Sequence, residues 1–356
     1  MYWHGKIGED LREDMPALDE LRFIRANLRE SLPYEWRLPD DFFQFTHYLR
    51  VLEKLDYTSS PGYPYKLRSP TNADFFGRKY GINSTSRVQE VWELVLLQVR
   101  ERRADPIFLF IKPEPHKVSK KNRKRLISSV SIIDQIIDHM LFDEFNNVVI
   151  QDAANGPIKA GWSIQSGGWK VMPTQGMSID KTAWDWTAKL WLFQLCLDYR
   201  KECLVGPGAD VWYELASWRY RKLFLEAEFC LPNGEFRLQK RPGVMKSGCV
   251  NTIIDNSMMQ MILHYRVCFQ MGLEPGWIWC LGDDTRQSLI AQRQQYLDLL
   301  SQFCVVKECT DSCEFAGYRF VKGARMEPLY KGKHAFVMLH CAPKVQEDIA
   351  RSYSLP

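Results

Sequence analysis

Hydrophobic side chains in the first 150 residues recur every three to four positions, which is the spacing of amphipathic helices. The pattern covers residues 16–56, 86–103 and 132–149 and predicts helices in each segment. The apolar positions are Leu18, Leu21, Ile24 and Leu28, then Val88, Val91, Trp92, Val95 and Leu96, and finally Ile133, Ile136, Ile137, Met140 and Leu141. Residues 58–65 (TSSPGYPY) are rich in turn-forming residues and predict an irregular loop. A short apolar run at Ile107–Ile111 predicts a strand.

The hydrophobic pattern of the second half changes between strands and helices over short distances. Residues 177–180 predict a short strand, and a helix is expected from about residue 187. Residues 234–238 predict another strand. A glycine-containing loop at 242–248 is expected to open a helix that runs to about residue 268.

Two short strands joined by a tight turn fit the sequence WIWCLGDDTRQSLI at residues 277–290. Gly282-Asp283-Asp284 would form the turn, because glycine and aspartate are favoured in short hairpin connections. Strands and helices mixed in this way predict an α+β domain.

Composition places the chain among globular proteins of ordinary polarity. Of its 356 residues, 46% are hydrophobic and 25% are charged, so it can bury a sizeable core and extensive disorder is not expected. The 47 Lys and Arg residues against 43 Asp and Glu give a net charge of +4, which does not by itself indicate a nucleic-acid binder. The distribution is more informative, because residues 112–125 are rich in Lys and Arg and contain a single acid.

The ten cysteines are scattered, and the N-terminal sequence MYWHGKIGEDLRED contains no apolar signal segment. Reduced thiols in a cytosolic setting are therefore expected. Cys304, Cys309 and Cys313, together with the later pair His340-Cys341, lack the paired spacing of a zinc site, so zinc is not expected. No run of about 18 apolar residues occurs, so no membrane-spanning segment is predicted.

Acidic residues at two predicted strand ends give the clearest indication of chemistry. Asp180 ends the first strand, and Asp283 and Asp284 lie at the hairpin turn about a hundred residues later. Carboxylates on adjacent strand ends can hold two Mg²⁺ ions, which prefer oxygen ligands and stabilise both oxygens of a phosphoryl displacement. Each element alone is weak evidence, because Gly-Asp-Asp arises by chance and Asp180-x4-Asp185 fits a solvated helix face.

The order of further segments strengthens this indication. Between the acidic elements lies Ser247-Gly248-x3-Thr252-x3-Asn256, and upstream of both lies FIKPEPHK at 110–117, followed by RLISSVSIIDQ at 125–135. In this order the segments resemble the motif set of the RNA-dependent RNA polymerases of positive-strand RNA viruses. The sequence of the basic segment most resembles that of the enzymes of the sobemovirus and polerovirus branch.

The resemblance implies roles for individual side chains. Asp180, Asp283 and Asp284 would be catalytic and would hold two divalent ions, Mg²⁺ or Mn²⁺. Lys307 stands near the family's proton-donating lysine, although a surface lysine explains the position almost as well. The implied nucleotide-binding residues are Lys112, Lys117, Arg123, Arg125, Asp185, Ser247, Thr252 and Asn256. The implied template-binding residues are Thr58, Ser59, Gly62, Tyr63 and Gly248.

Within this set, Asp185 and Asn256 would read the 2′-hydroxyl of the incoming nucleotide, and Gly248 would give a moving loop its backbone freedom. Structural alternatives stay open. Asp185 would otherwise cap a helix that begins near Thr187, and Ser247 would cap the helix after the glycine loop. A solvated loop would explain the basic segment, and Trp184 and Trp186 are expected mainly to pack in the core.

The resemblance also implies a right-hand polymerase fold of the α+β class, with fingers, a palm that contains an antiparallel sheet, and a reduced thumb. The fingers would comprise residues 1–129 and 200–241, the palm residues 130–199 and 242–320, and the thumb residues 321–356. The thumb is either minimal or truncated, which leaves the mode of initiation open.

The function that this resemblance implies is template-directed RNA synthesis by two-metal nucleotidyl transfer, which replicates a viral genome. A reverse transcriptase is disfavoured, because that family usually has an aromatic residue two places before its paired aspartates, where this chain has Leu281-Gly282. A non-catalytic RNA-binding protein on a polymerase scaffold is disfavoured by the intact acids. Expected partners are template and nascent RNA, ribonucleoside triphosphates and other viral replication proteins. The expected location is the host cytoplasm, at membrane-bound replication complexes reached through other factors.

Overall fold

The computed structural model describes residues 6–112, 125–164, 166–321 and 325–354. The helices of these residues are α1 (Leu18–Ser31), α2 (Phe45–Lys54), α3 (Asn72–Phe75), α4 (Thr85–Glu101), α5 (Ile132–Gln151), α6 (Trp184–Thr187), α7 (Leu190–Glu202), α8 (Ala209–Phe224), α9 (Thr252–Met271), α10 (Arg293–Leu300), α11 (Lys331–His340) and α12 (Gln346–Ser354). Short 3-10 turns lie at Tyr65–Leu67, Gly168–Val171 and Pro343–Val345.

The strands of the described residues are β1 (Ile107–Lys112), β2 (Arg125–Ser129), β3 (Met177–Lys181), β4 (Glu228–Cys230), β5 (Phe236–Leu238), β6 (Ile278–Leu281), β7 (Asp284–Gln287), β8 (Val306–Thr310), β9 (Glu314–Phe315), β10 (Tyr318–Val321) and β11 (Arg325–Pro328). They form three sheets. The central sheet has the order β6-β7-β3-β8 and is antiparallel throughout. The outer sheet has the order β2-β1-β4-β5, with β1 and β4 parallel, and β9 to β11 form a small antiparallel sheet. The predicted α+β class is confirmed.

Most sequence-predicted elements are confirmed, including the two strands and tight turn at 277–290. The helix expected from about residue 187 is present as α7, but it begins later, at Leu190: the chain first forms the short helix α6 and passes through extended backbone at Ala188 and Lys189. The carbonyl of Ala188 accepts a hydrogen bond from the N–H of Val244 at 2.9 Å instead of continuing a helix. The strand expected at 234–238 is shorter and pairs with β4, which was not predicted.

Helix α9 lies at the centre of the molecule. It is buried on all sides from Ile254 to Cys268, and it packs against α1, α7, α10 and β6. A helix enclosed in this way must pair its polar side chains internally. Asp255, which is fully buried, accepts from Arg200 Nη2 of α7 at 2.8 Å and from the Tyr220 hydroxyl of α8 at 2.6 Å. This network fixes α9 to two neighbouring helices.

The predicted domain boundaries after residues 199 and 320 fall inside α7 and β10, respectively. The assignment of ranges to fingers, palm and thumb stays a prediction. All ten cysteines are free thiols, as expected. Among the helices of the described residues, none is both long and apolar enough to cross a membrane.

Candidate active site

Strand pairing in the central sheet brings the three predicted catalytic acids together. Ile179 of β3 pairs with Thr285 of β7, so the next residue, Asp180, lies beside Asp284. Asp283 occupies the two-residue turn between β6 and β7, where Leu281 pairs with Asp284. The register of two antiparallel strand pairs therefore places all three carboxylates at one end of the sheet.

A hydrogen bond to a residue of α9 fixes the hairpin turn between β6 and β7. Gly282 has a φ of 64°, a left-handed conformation that glycine adopts at little cost. Its N–H donates to the Ser257 hydroxyl at 2.9 Å, and that hydroxyl donates to the Ile253 carbonyl at 2.7 Å. Ser257 directly follows the predicted site residue Asn256, but its contact with the turn was not predicted.

The carboxylates repel one another. Desolvation by neighbouring protein atoms raises the pKa of Asp283, although its side chain is exposed, and the charge of Asp180 raises it further. Desolvation, followed by repulsion from Asp283 and Asp180, raises the pKa of Asp284 to about 6. These shifts indicate an acidic cluster with excess negative charge, which a cation would stabilise.

The buried side chain of Lys181 lies next to this cluster, and the sequence did not predict that it belongs to the site. Its Nζ donates to Thr285 Oγ1 at 3.1 Å and reaches the backbone carbonyl of Asp283 at 3.5 Å. Its positive charge opposes the pKa increases of Asp283 and Asp284. The sequence signal was only its place next to Asp180, which does not reveal that the side chain turns inward.

Lys307 reaches the acids because β8 contains a bulge. Asp180 pairs with Glu308 and Lys181 with Val306, so Lys307 is the extra residue between them. Such bulges redirect a side chain. The Nζ of Lys307 donates to Asp180 Oδ2, and this hydrogen bond raises the pKa of the lysine. The structure thus brings the predicted proton donor beside the acids, while its role stays a prediction.

The donor chemistry of Asp180, Asp283 and Asp284 fits Mg²⁺ or Mn²⁺, which prefer carboxylate oxygens. Among the described residues, no group of three or more His, Cys, Asp or Glu side chains is already arranged to hold a metal ion. The Asp180 carboxylate is paired with Lys307.

Asp185 and Asn256 form the predicted polar pair next to the acids. Asn256 Nδ2 donates to Asp185 Oδ1 at 3.0 Å, and Asn256 Oδ1 accepts from Trp184 Nε1 at 2.9 Å. Desolvation raises the pKa of Asp185 to about 6, with a smaller contribution from the charge of Asp283. The alternative that Asp185 caps a helix near Thr187 is wrong, because Asp185 lies inside α6. Trp184 is buried, as expected, and also orients the amide of Asn256.

In the loop at 242–248, Ser247 is not the helix cap and Gly248 does not have the special backbone conformation that the sequence suggested. Ser247 does not cap α9, whose N-cap is Asn251; its hydroxyl accepts from the N–H of Ser128 at 3.1 Å. Gly248 does not have a positive φ. A Cβ there would lie 2.3 Å from the Ser128 carbonyl, so close approach to β2 explains the glycine. The Thr252 hydroxyl donates within the loop, to the carbonyls of Lys246 and Cys249 at 2.9 and 2.7 Å.

Lys112 and Arg125 are paired residues at the ends of β1 and β2, and both are exposed. Arg125 lies close enough to the acids for its charge to oppose the raised pKa values of Asp185 and Asp283. The two other predicted phosphate-binding residues, Lys117 and Arg123, lie outside the described residues.

The predicted template-binding loop packs beside the outer sheet. Thr58 and Ser59 are exposed, and their hydroxyls donate to the Asp56 carboxylate at 2.6 and 2.5 Å. Gly62 has a φ of 70° and lies against the backbone of residues 130–131, where a Cβ would clash.

Tyr63 of the same loop contacts Phe236 of β5, with ring centroids 5.6 Å apart. Phe236 and Phe108 occupy one face of the outer sheet, because both pair with Cys230 of β4. Phe236 is exposed, and Lys66 Nζ lies 3.4 Å from the ring centroid of Phe108. This aromatic and basic surface was not predicted.

Comparison with solved structures supports the fold. A Sicinivirus 3Dpol RNA-dependent RNA polymerase superposes with a TM-score of 0.72, covering 96% of this chain and 81% of that one at 15% sequence identity. The predicted right-hand fold is confirmed at this level.

Sequence comparison identifies the branch. Protein P1-P2 of Pea enation mosaic virus-1 is 28% identical over 334 residues, which is 82% of this chain and 27% of that protein. The replicase polyprotein P2AB of Cocksfoot mottle virus is 29% identical over 64% of this chain and 24% of that protein. The matched part thus spans about a quarter of the length of these relatives. The RNA-directed RNA polymerase of Mushroom bacilliform virus is 28% identical over 61% of this chain and 54% of that protein.

These relatives agree with the sobemovirus and polerovirus branch that the motifs indicated. The family model described as viral RNA-dependent RNA polymerase matches residues 44–305, which contain every predicted site residue except Lys307. The chain therefore belongs to the viral RNA-dependent RNA polymerase family.

Proposed function

We propose that this chain synthesises RNA on an RNA template, by transferring a nucleoside monophosphate from a ribonucleoside triphosphate to the 3′-hydroxyl of the growing strand and releasing pyrophosphate. The observation that carries the proposal is the strand register that places Asp180, Asp283 and Asp284 together beside the Asp185–Asn256 pair. The names of the relatives, a replicase polyprotein and an RNA-directed RNA polymerase, support a role in copying a positive-strand RNA virus genome.

Asp180, Asp283 and Asp284 would hold two divalent ions. When bound, such ions neutralise the charge of the transferred phosphoryl group and stabilise the attacking and leaving oxygens. Desolvation and, after it, repulsion from Asp283 and Asp180 raise the pKa of Asp284, and bound cations would offset this repulsion. The positive charge of Lys181 reduces this repulsion, so the three carboxylates can lie together although one lysine does not balance all of their charge.

Other side chains of the site would bind and orient the nucleotide. Lys112 and Arg125 supply positive charge for the triphosphate. Asp185 and Asn256 would bind the 2′-hydroxyl of the ribose. Lys307 holds a proton next to the acids, because its contact with Asp180 keeps the ammonium charged, and would donate it to the leaving pyrophosphate.

The single-stranded template would pass Thr58, Ser59, Gly62 and Tyr63 before reaching the acids. Gly248, packed on β2, would support the template base near the site. We also propose that the protein works in the host cytoplasm with other viral replication proteins, at membrane-bound complexes.

The test is extension of a primer on an RNA template with ribonucleotides and Mg²⁺, using wild type and Asp283→Asn. The variant removes one charged ligand and leaves the basic surfaces unchanged, so we expect at least a ~10³-fold loss of rate, about 4 kcal/mol, with RNA affinity retained. Extension by the variant at more than a tenth of the wild-type rate would contradict the assignment. Wild type that prefers deoxynucleotides would indicate a reverse transcriptase, and wild type that binds RNA without extending it would indicate a binding protein.

A further inference from the structure

Lys246 is a fully buried lysine at the base of the loop at 242–248. Its Nζ donates to the Gln239 side-chain oxygen, to the Val244 carbonyl at 2.8 Å and to the Gly243 carbonyl at 3.3 Å. No carboxylate of the described part of the chain pairs with it. Burying an ammonium group is costly unless its hydrogen bonds are satisfied. The three oxygens that accept from Lys246 satisfy its donors and account for a lysine at this buried position.

Gln239 completes the arrangement from the other side. Its Nε2 shares two hydrogens among three carbonyl oxygens, those of Phe224 and Gly243 at 2.8 Å and of Arg241 at 2.7 Å. Lys246 and Gln239 thus share the Gly243 carbonyl and bind each other. We call this pair the clasp. It closes the chain from residue 239 to residue 246 into a loop tied to the end of α8.

The outer side of the clasped loop is bonded to the segment that carries Asp185. The Met245 N–H donates to the Asp185 carbonyl at 2.7 Å, and the Val244 N–H donates to the Ala188 carbonyl at 2.9 Å. A Cβ on Gly243 would lie 2.3 Å from the same Ala188 carbonyl. The backbone of Asp185 is therefore positioned by the loop, whereas its carboxylate is positioned by Asn256.

The loop adopts a conformation that it would not adopt by itself. Val244 has a φ of 63°, in the left-handed region that β-branched residues avoid, and Gly243 has a φ of 91°. Strained backbone of this kind persists only where surrounding contacts hold it. The clasp supplies such contacts, because it binds the carbonyls of Val244 and of the preceding Gly243.

We propose that the Lys246–Gln239 clasp positions Asp185 and thereby sets the preference of the site for ribonucleotides over deoxynucleotides. The proposal rests on the proposed function, since it needs a nucleotide at Asp185. Lys246 and Gln239 are positioning residues, because they act through the backbone of the loop and do not contact the sugar. Releasing the clasp lets Val244 relax, and the Asp185 carbonyl then loses its fixed donor.

The test measures the ratio of kcat/KM for a ribonucleotide and the matching deoxynucleotide in wild type, Lys246→Met, Gln239→Met and the double variant. Methionine matches glutamine in length, is one atom shorter than lysine, and removes the hydrogen bonds of either side chain. Lys159→Met is the matched control. Lys159 is also buried and donates to backbone carbonyls, those of Ala153 and Ala154 at 3.1 and 3.2 Å, but it does not touch the loop.

We expect each clasp variant to reduce the preference for ribonucleotides about threefold to thirtyfold, the range for residues that act through a neighbour. The double variant should lose little more than Lys246→Met alone, because the two residues form one unit. Lys159→Met should lower thermal stability and keep the preference. If Lys246→Met does not fold, Gln239→Met decides the question, because Lys246 then still binds the Val244 carbonyl.

An unchanged preference in folded, active clasp variants would overturn the clasp and leave the proposed function standing. An equal loss of preference in Lys159→Met would also overturn it, because general destabilisation would then be the cause. A wild-type protein that makes no RNA from either nucleotide would instead overturn the proposed function.

Discussion

Asp185 and Asn256 form a partly buried polar pair whose remaining hydrogen-bonding capacity a ribose hydroxyl would satisfy. A deoxyribose would leave that capacity unused, and sites built around a hydroxyl can discriminate strongly for this reason. We expect Asp185→Ala and Asn256→Ala each to narrow the preference for ribonucleotides at least ~10-fold, about 1.4 kcal/mol, in competition assays with both nucleotide types. Asn146→Ala is the control, because Asn146 is a buried amide that bonds Arg200 and Asn251. Unchanged selectivity in active variants would remove the pair from sugar recognition.

Lys307 can act in catalysis either as a general acid or through its positive charge, and two substitutions distinguish these roles. Lys307→Leu removes both the proton and the charge beside Asp180 and should slow the single-turnover rate by ~10²–10⁴-fold, with nucleotide affinity unchanged. Lys307→Arg keeps the charge, but a guanidinium does not release its proton at neutral pH. If Lys307→Arg is as fast as wild type, the residue acts by its charge and not as a general acid.

Which single residues could be predicted depended on whether their role is local. Asp180, Asp283 and Asp284 stand out because each lies at a strand end or turn that the local pattern predicts. Lys181 and Ser257 do not, because their roles arise from strand register and helix packing between distant segments. Gly248 was predicted as important for the wrong reason, since its close approach to Ser128 is invisible in a sequence.

At the scale of elements, α9 connects to β7 and α10 through His264. His264 Nδ1 lies 2.9 Å from the Tyr296 hydroxyl and 3.4 Å from Gln287 Nε2. Burial lowers the pKa of His264 from its ordinary value of 6.5 to about 4, so the ring is neutral in the folded protein at neutral pH. Between pH 6.5 and 4 the unfolded chain binds more protons than the folded one at this site, and stability is lost as pH falls through this window.

The loss from His264 should reach roughly 3 kcal/mol, since each pKa unit corresponds to about 1.4 kcal/mol. Urea unfolding of wild type and His264→Gln at pH 7 and pH 4 would measure it. The glutamine variant should lose less stability than wild type over the same range, because carboxylates elsewhere affect both proteins equally. Equal losses in the two proteins would show that His264 does not titrate in this way.

Element boundaries were predictable where apolar residues at helical spacing cover a whole element, as in α5. They failed where another part of the chain decides. The break between α6 and α7 depends on the loop at 242–248, which takes the Ala188 carbonyl. Strand β4 has three residues and shows no periodicity of its own; pairing with β1 and β5 defines it.

At the scale of the whole molecule, Asp255 joins α7, α8 and α9 in a fully buried network. Asp255→Leu would leave the Arg200 charge without its partner, which typically costs 3–5 kcal/mol. Asp210→Ala is the control: Asp210 pairs with Lys201 between α7 and α8, but at the surface, so about 1 kcal/mol or less should be lost. Free energies of unfolding in urea distinguish the two, and similar values for both variants would contradict this account of the core.

The order of strands in the central sheet has a consequence for synthesis on the ribosome. Strand β3, which carries Asp180, is an interior strand whose neighbours β7 and β8 begin only at residues 284 and 306. The 130 residues between Asp180 and Thr310 take roughly 7 to 26 s to translate at typical rates. Until β7 is made the nascent β3 has both edges unpaired, and one edge stays unpaired until β8 is made, so β3 is prone to aggregation during this interval. Catalytic competence should thus appear abruptly, when β8 leaves the exit tunnel, and ribosomes that stall before residue 306 should carry inactive chains.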